Sequence, residues 1–310
     1  MALSIQSNMA SMSIQNQLGR SNNDLSTALE RLGSGFKINS AKDDAAGLQI
    51  ASRLNAQVRG QDAALYNSNN AMSMMQTAEG AFDEMTNIAY RMKELATQAA
   101  NGTNGADEGI ALNAEYLALG DELASIMQNT SFGGTKLLAI DTGGVVASAG
   151  VRATSASLVG KFSNTAAPAV TFQVGSSTAE TLDVNVFTAL DTIHTTLGTK
   201  TGSQTGMSNL LTPAGATTAT TGAMDVIDGL IKNIGTARSS LGASMNRLDH
   251  TMNNVTNMKE NTQAAASTLM DADFAAETSN MTKQQLLMNS GISVLSTANS
   301  TTQMIGSLLR

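Results

Sequence analysis

Apolar residues recur along this chain at alternating steps of four and three, the period of a coiled-coil stripe. Near the start, Ile14, Leu18, Ser21, Leu25, Ala28 and Leu32 follow it. At the other end, Leu287, Gly291, Val294, Ala298, Thr301, Ile305 and Leu308 do the same. Two such seams at opposite ends can pair with each other. Several of their positions are small or polar (Ser21, Ala28, Gly291, Thr301), and burial stabilises by only ~0.8 kcal/mol per methylene. An isolated pair is therefore weak, and such ends are expected to order fully only when other chains surround them.

Between the ends, more helices are legible. The first seam closes at Gly33-Ser34-Gly35, and INSAKDDAAG (38–47) reads as a turn. Its Ser40, Asp43 and Asp44 suit the cap and first turn of a following helix. That helix runs from about 44 to 100 on Val58, Leu65, Met72, Met75, Phe82, Met85 and Met92, and NGTNGADEG (101–109) breaks it. Leu112, Tyr116, Leu119, Leu123 and Ile126 mark a third helix ending near Asn129. From about Leu138 to Gly222 the character changes, with both prolines, much Thr and Gly, and few charges. There VTFQVGSSTAETLDVNV (170–186) reads as two strands around a small-residue turn, and TKTGSQTG and TPAGATTATTG read as loop. Helical periodicity returns through Ile227, Ile231, Ile234, Arg238, Leu241, Met245, Leu248, Met252 and Val255. The expected fold is mainly α: a long antiparallel helical bundle or coiled coil from both chain ends, with a small β-hairpin and loop region in the middle.

Composition narrows the function. With 310 residues and 42% apolar content the chain can bury a core, and its net charge of −7 opposes binding to nucleic acid. No apolar run is long enough for a membrane span, and the start lacks the pattern of a secretory signal. Cysteine is absent, which removes disulfides, thiol catalysis and cysteine metal sites. Tryptophan is absent too and aromatics are 3%, so stability must come from aliphatic and Met seams.

Candidate chemistry is sparse. Lys42-Asp43-Asp44 is better explained as a solvated helix start than as a metal or acid–base cluster, because no third ligand or histidine lies near it in sequence. His194 and His250 are isolated, with no HExxH or triad pattern. The Met stripes follow the heptad step, as packing material does. Asn-x-Ser/Thr matches are expected by chance, and the Ser/Thr-rich middle is a candidate for O-linked sugars. No catalytic residue, cofactor site or metal site is assigned.

Several ordered stretches resemble bacterial flagellin. They are ALERLGSGFKINSAKDDAAGLQIASRL (28–54), YRMKELATQAANGT (90–103), NTSFGGTKLL (129–138), LGASMNRLDHTMNNV (241–255) and the closing DADFAAETSNMTKQQLLMNSGISVLSTANSTTQMIGSLLR (271–310). The resemblance spans residues 1–138 and 224–310, with the FQVG strand pair between, and the middle is too short for large outer domains. It implies a structural subunit that self-assembles into the extracellular flagellar filament for swimming. Residues 1–43 and 271–310 would form the two halves of an inner-tube coiled coil, with seam residues Leu18, Leu25, Leu32, Leu287, Val294, Ala298, Ile305 and Leu308. Residues 44–138 and 223–270 would supply the core-domain helices, and 139–222 the hairpin and short variable outer region.

The resemblance also implies export in an unfolded state through the flagellar type III apparatus. The implied partners are further copies of the chain, an export chaperone, a cap protein and hook-associated proteins. Arg91, Leu95 and Glu115 fall where flagellins recognised by the vertebrate toll-like flagellin receptor carry contact residues. Arg91 and Leu95 are i and i+4 on one helix, and the next helix can fold back to bring Glu115 alongside. Contacts between subunits are the primary role expected for these three. Alternatives are a hook–filament junction protein, or a flagellin with an adhesive or enzymatic central insert.

Overall fold

The computed structural model describes residues 8–139, 161–162, 169–198 and 216–308. Its elements in order are α1 (Met9–Ser34), α2 (Ala45–Ala99), α3 (Ala106–Asn129), β1 (Ser131–Phe132), β2 (Thr135–Lys136), β3 (Val170–Gln173), β4 (Thr181–Val184), α4 (Phe187–Gly198), α5 (Ala216–Met270) and α6 (Phe274–Leu308). The chain is mainly α, as the periodicity predicts, with two small antiparallel sheets among the described residues, of which the sequence reading expected the β3–β4 pair. It divides into two compact units: unit 1, residues 1–59 with 258–310, and unit 2, residues 60–257. The division falls within α2 and α5, so each of these helices contributes a segment to both units.

In unit 1, α1 and α6 pair along their length. The side chain of Asn8 accepts from the Ser11 amide at 3.1 Å and caps α1. At the other end Gly35 takes a left-handed φ of 77° and its amide reaches the Arg31 carbonyl at 2.8 Å, a stop that glycine makes without strain. The two linkers are strapped together: Lys37 donates to the Met270 carbonyl at 2.6 Å and Ala272 to the Gly35 carbonyl at 2.9 Å. Asp44 starts α2, accepting from the amides of Ala46 at 3.0 Å and Gly47 at 2.9 Å. Asp43 instead closes the preceding turn. It accepts from the Ser40 amide at 2.9 Å and the Ser40 hydroxyl at 3.0 Å, bonds that hold its carboxyl below the ordinary range.

In unit 2, one apolar cluster joins α2 (Met75, Phe82, Met85, Met92, Leu95), α3 (Tyr116, Leu123, Met127), β4 (Leu182, Val184), α4 (Leu190, Ile193) and α5 (Ile227, Leu230, Ile234, Leu241, Leu248). Strands β3 and β4 pair antiparallel with Val170 opposite Val184 and Gln173 opposite Thr181. Gln173 donates from Nε2 to the carbonyls of Gly175 at 2.9 Å and Ser177 at 2.6 Å, which organises the connecting turn. Arg238 on α5 pairs with Glu79 at 2.8 Å and Asp83 at 3.1 Å, fixing α5 against α2.

Two elements were not foreseen and three expectations need correction. Residues 187–198 form α4, because Leu190 and Ile193 find the core across a turn otherwise rich in Thr. Phe132 to Thr135 is a tight hairpin, with Gly133 and Gly134 both at positive φ (56° and 81°). The ATTATTG stretch (216–222) is the start of α5, and ADEG (106–109) is the first turn of α3, where Asp107 and Glu108 suit the helix dipole. Finally, the buried stripe of α5 runs Ile227, Leu230, Ile234, Ala237, Leu241, Ser244 and Leu248, with Ile231, Arg238, Met245 and Met252 half-buried beside it. The loop TKTGSQTG and both prolines lie outside the described residues.

Candidate functional site

The pairing of the chain ends is the first candidate site. On α1 the residues turned from solvent include Ser11, Ile14, Leu18, Ser21, Leu25, Ala28 and Leu32, the stripe expected from the sequence with Ser11 added, and Thr27 and Arg31 are half-buried beside it. On α6 the stripe is rotated by one position. Its least exposed residues run Glu277, Met281, Gln284, Met288, Gly291, Leu295 and Ala298. Leu287 and Val294 stand 42% and 50% exposed at its edge. Gly291 and Ala298 belong to both readings, and the helix turns toward α1 the face on which α1 comes closest. At Gly291 a Cβ atom would lie 2.7 Å from Leu18 Cδ2, so any larger residue there has to displace the end of the Leu18 side chain. Ile305 and Leu308 are in α6 by backbone, but their side chains lie outside the described residues.

Polar groups fix the register of the pair. Asn8 Nδ2 donates to the Ala298 carbonyl at 3.3 Å, and Ser11 Oγ donates to Asn299 Oδ1 at 3.1 Å. Arg31 approaches Glu277 at 3.8 Å. Along one side Ile14, Leu18, Ser21, Leu287, Gly291 and Val294 line an open groove of about 220 Å³. Of the fifteen large hydrophobic side chains exposed among the described residues, twelve lie in unit 1, including Phe274, Leu286, Leu287, Ile292 and Val294. Apolar surface concentrated in this way marks a surface that another molecule covers.

The second candidate lies in unit 2. Arg91 of α2 meets Glu115 of α3, with Nε and Nη2 at 3.0 and 2.8 Å from Oε1, and it also holds Glu94 at 2.7 Å. The hydrogen bonds to Glu115 and then Glu94 push the guanidinium above its ordinary value. Arg91 and Glu115 remain near half exposure, 45% and 46% by side chain. Leu95, one turn along, is 0% exposed and belongs to the core cluster. The α2–α3 turn thus brings Arg91 and Glu115 together and sends Leu95 inward. One neighbour was not read from sequence: Lys93 pairs with Asp228 of α5, which only the tertiary fold signals. Tyr116, on the apolar stripe expected for α3, is buried, and desolvation pushes its phenol up to about 12.

His194 on α4 is half-buried, and burial lowers its pKa against an opposing effect of Asp191. Among the described residues no three His, Cys, Asp or Glu side chains gather as a metal site would need, and no helix is long and apolar enough to cross a membrane.

Comparison with known proteins matches this arrangement at both ends. The model for the bacterial flagellin N-terminal helical region matches residues 5–142, and that for the bacterial flagellin C-terminal helical region matches residues 224–309. Polar flagellin C of Vibrio parahaemolyticus is 34% identical over the whole of both chains, and flagellin A of Vibrio cholerae is 34% identical over 96% of this chain and 97% of its own. The first alignment is 384 residues long against 310 here, so that relative carries segments this chain lacks. A solved flagellin structure from Bacillus cereus, 29% identical, covers 65% of this chain and 94% of that one with a TM-score of 0.45. With paired helical ends and both end regions matched over most of the sequence, the chain belongs to the bacterial flagellins.

Proposed function

We propose that this subunit of the extracellular flagellar filament polymerises through its paired ends, residues 1–43 with 271–310. The observation that carries the reading is the concentration of exposed large apolar side chains in unit 1, twelve of fifteen, around a seam filled with Ser, Ala and Gly. Copies of the same chain cover those faces in the filament and supply the packing that the pair lacks. Residues 44–138 and 223–270 then serve as the surrounding core domain, and 139–222 as the hairpin and short outer region. The role is structural, with no catalytic step, and family membership leaves the junction-protein, adhesive-insert and enzymatic-insert alternatives without support.

The weak seam also supports export of an unfolded subunit through the flagellar type III apparatus, since little structure at the ends must be undone. The described part of α6 carries only Glu277 and Lys283 as charges and leaves Leu286, Ile292 and Val294 uncovered, a surface suited to an export chaperone before assembly. A cap protein would guide insertion, and hook-associated proteins would meet the same ends. For receptor recognition, the exposed Arg91–Glu115 pair is the contact, and Leu95 acts by holding its turn in place rather than by touching the partner.

The test is deletion of residues 280–310. Circular dichroism should show a largely helical protein, and electron microscopy after salt-induced assembly should show no filaments. Normal filaments from the truncated chain would overturn the two-ended reading.

A further inference from the structure

The chain has no cysteine and no tryptophan but eighteen methionines, so thioethers are its most readily oxidised side chains. The structure sorts them by region. Met75, Met85 and Met92 are 0% exposed, Met74 and Met127 are also buried, and all five belong to unit 2. Met9, Met12, Met258 and Met304 are 67%, 55%, 39% and 60% exposed, and all four belong to unit 1. Among the described methionines, none in unit 2 is exposed and none in unit 1 is buried.

Three of the exposed ones gather at one end of the α1–α6 pair. Asn8 and Ser11 bond to Ala298 and Asn299, so Met9 and Met12 flank that junction on α1. Met304 follows Asn299 on α6, about 1.5 Å of helix rise per residue further along. Methionines at a well-packed site would be shielded by their neighbours; these three are open to solvent in the free subunit.

We propose that Met9, Met12 and Met304 form an oxidation site through which a two-electron oxidant, hydrogen peroxide or a chemically similar one, removes the free subunit's ability to assemble. The sulfur lone pair attacks a peroxide oxygen, the O–O bond breaks and an S–O bond forms. Sulfur is oxidised by two electrons, and the departing hydroxide takes the proton from the hydroxyl now on sulfur, leaving water and the sulfoxide. The product sulfoxide is polar and chiral where the thioether was apolar and adaptable. A face that must shed water to meet a neighbour then carries a group that holds water. Burial spares the core thioethers of unit 2, so its fold survives the treatment that silences unit 1. The consequence for assembly rests on the reading of the paired ends as the polymerising surface; the selectivity of oxidation does not.

The experiment treats purified full-length subunit with hydrogen peroxide and maps sulfoxides by peptide mass spectrometry. Met9, Met12 and Met304 should react at least about tenfold faster than Met75, Met85 and Met92. The treated protein should keep its helical content and lose salt-induced polymerisation, and methionine sulfoxide reductase should restore it. Measured against its own untreated yield, the triple variant M9L/M12L/M304L should lose no polymerisation after peroxide, with Met258 oxidised as the exposed control. Even oxidation across both units, full polymerisation with the three sites converted, or equal sensitivity of the triple variant would each overturn the proposal. If the triple variant does not assemble untreated, reductase rescue of the unaltered chain decides. Preformed filaments treated in parallel separate the two ideas. Protection of the three sites there supports both, whereas reaction as fast as in the free subunit would overturn the assembly surface and leave the oxidation site standing.

Discussion

In unit 2 the inward positions hold Met75, Phe82, Met85, Tyr116, Leu123 and Leu241, while in unit 1 the buried hydrophobic residues among those described are Ala28, Ile38, Ala51 and Ala266. Both regions follow the same helical period. They differ in what fills it. Burying one large apolar side chain stabilises by about 1.5–3 kcal/mol, while alanine, serine and glycine contribute far less. Unit 2 therefore has its own core, and unit 1 has a register, set by Asn8, Ser11 and Arg31, without one. Small residues let helices approach closely, so the weakness of unit 1 alone is also its fitness for packing on several sides.

The largest expected effect tests the strong side of this comparison. Phe82 is 0% exposed at the centre of the unit 2 cluster, and Phe82→Ala should cost about 3–5 kcal/mol through lost burial and a residual cavity. The equivalent cut in unit 1, Leu18→Ala, should leave the thermal unfolding of the free subunit nearly unchanged while impairing assembly. Calorimetry of both variants beside a polymerisation assay checks this. Equal destabilisation by the two would show that unit 1 has a core of its own.

Gly291 probes the weak side. In a helix interior Gly→Ala ordinarily gains about 1 kcal/mol, but here an added Cβ meets Leu18 at 2.7 Å. Alanine thus sets propensity against crowding, and its sign is close to balanced. Leucine decides the matter: Gly291→Leu should force the helices apart at a cost of about 1–3 kcal/mol and block polymerisation, with unit 2 melting unchanged. Filaments of normal yield from this variant would mean that α1 and α6 do not pair this way in the polymer.

Much of this was legible in the chain, and the lapses have physical causes. Long runs with apolar residues every three or four positions announced α1, α2, α3, α5 and α6, and the alternation in VTFQ and TLDV announced β3 and β4. Helix α4 was missed although Phe187, Leu190, Ile193 and Leu197 step by three and four, because that pattern spans only twelve residues and a short helix lives on tertiary contact. The stripe on α6 slipped by one because Gly291 and Ala298 fit either reading; only the partial burial of Met288 and Leu295 against the exposure of Leu287 and Val294 separates them. For Arg91, Leu95 and Glu115, spacing showed that two of them share a helix. It could not show that α3 returns to meet Arg91 while Leu95, one turn on, faces the core.

A smaller effect separates the units by pH. Both histidines lie in unit 2, and burial holds His194 below its ordinary value. Well above about pH 6.5 the ring is neutral in folded and unfolded chains alike, and His194 takes nothing from the stability of unit 2. As the pH falls below that value, the unfolded chain takes up the proton first, and stability is lost until the folded value is passed. Unit 2 should therefore melt lower at about pH 5.5 than at about pH 7.5, with H194Q removing part of the difference. A pH slope unchanged by H194Q would show that other groups carry it.

The smallest effect on stability concerns Arg91, where structure and function can be told apart. Arg91 and Glu115 are near half exposure, so solvent screens the pair and Arg91→Ala should change unit 2 stability by less than about 1 kcal/mol. Leu95→Ala removes a fully buried side chain and should cost about 2–5 kcal/mol. Lost assembly or lost receptor signalling in L95A alone is therefore explained by unfolding, and says nothing about contact. In R91A, at an unchanged melting temperature, the same loss assigns the work to the exposed guanidinium. Unchanged assembly and signalling in R91A would confine the pair to the modest task of holding α3 against α2.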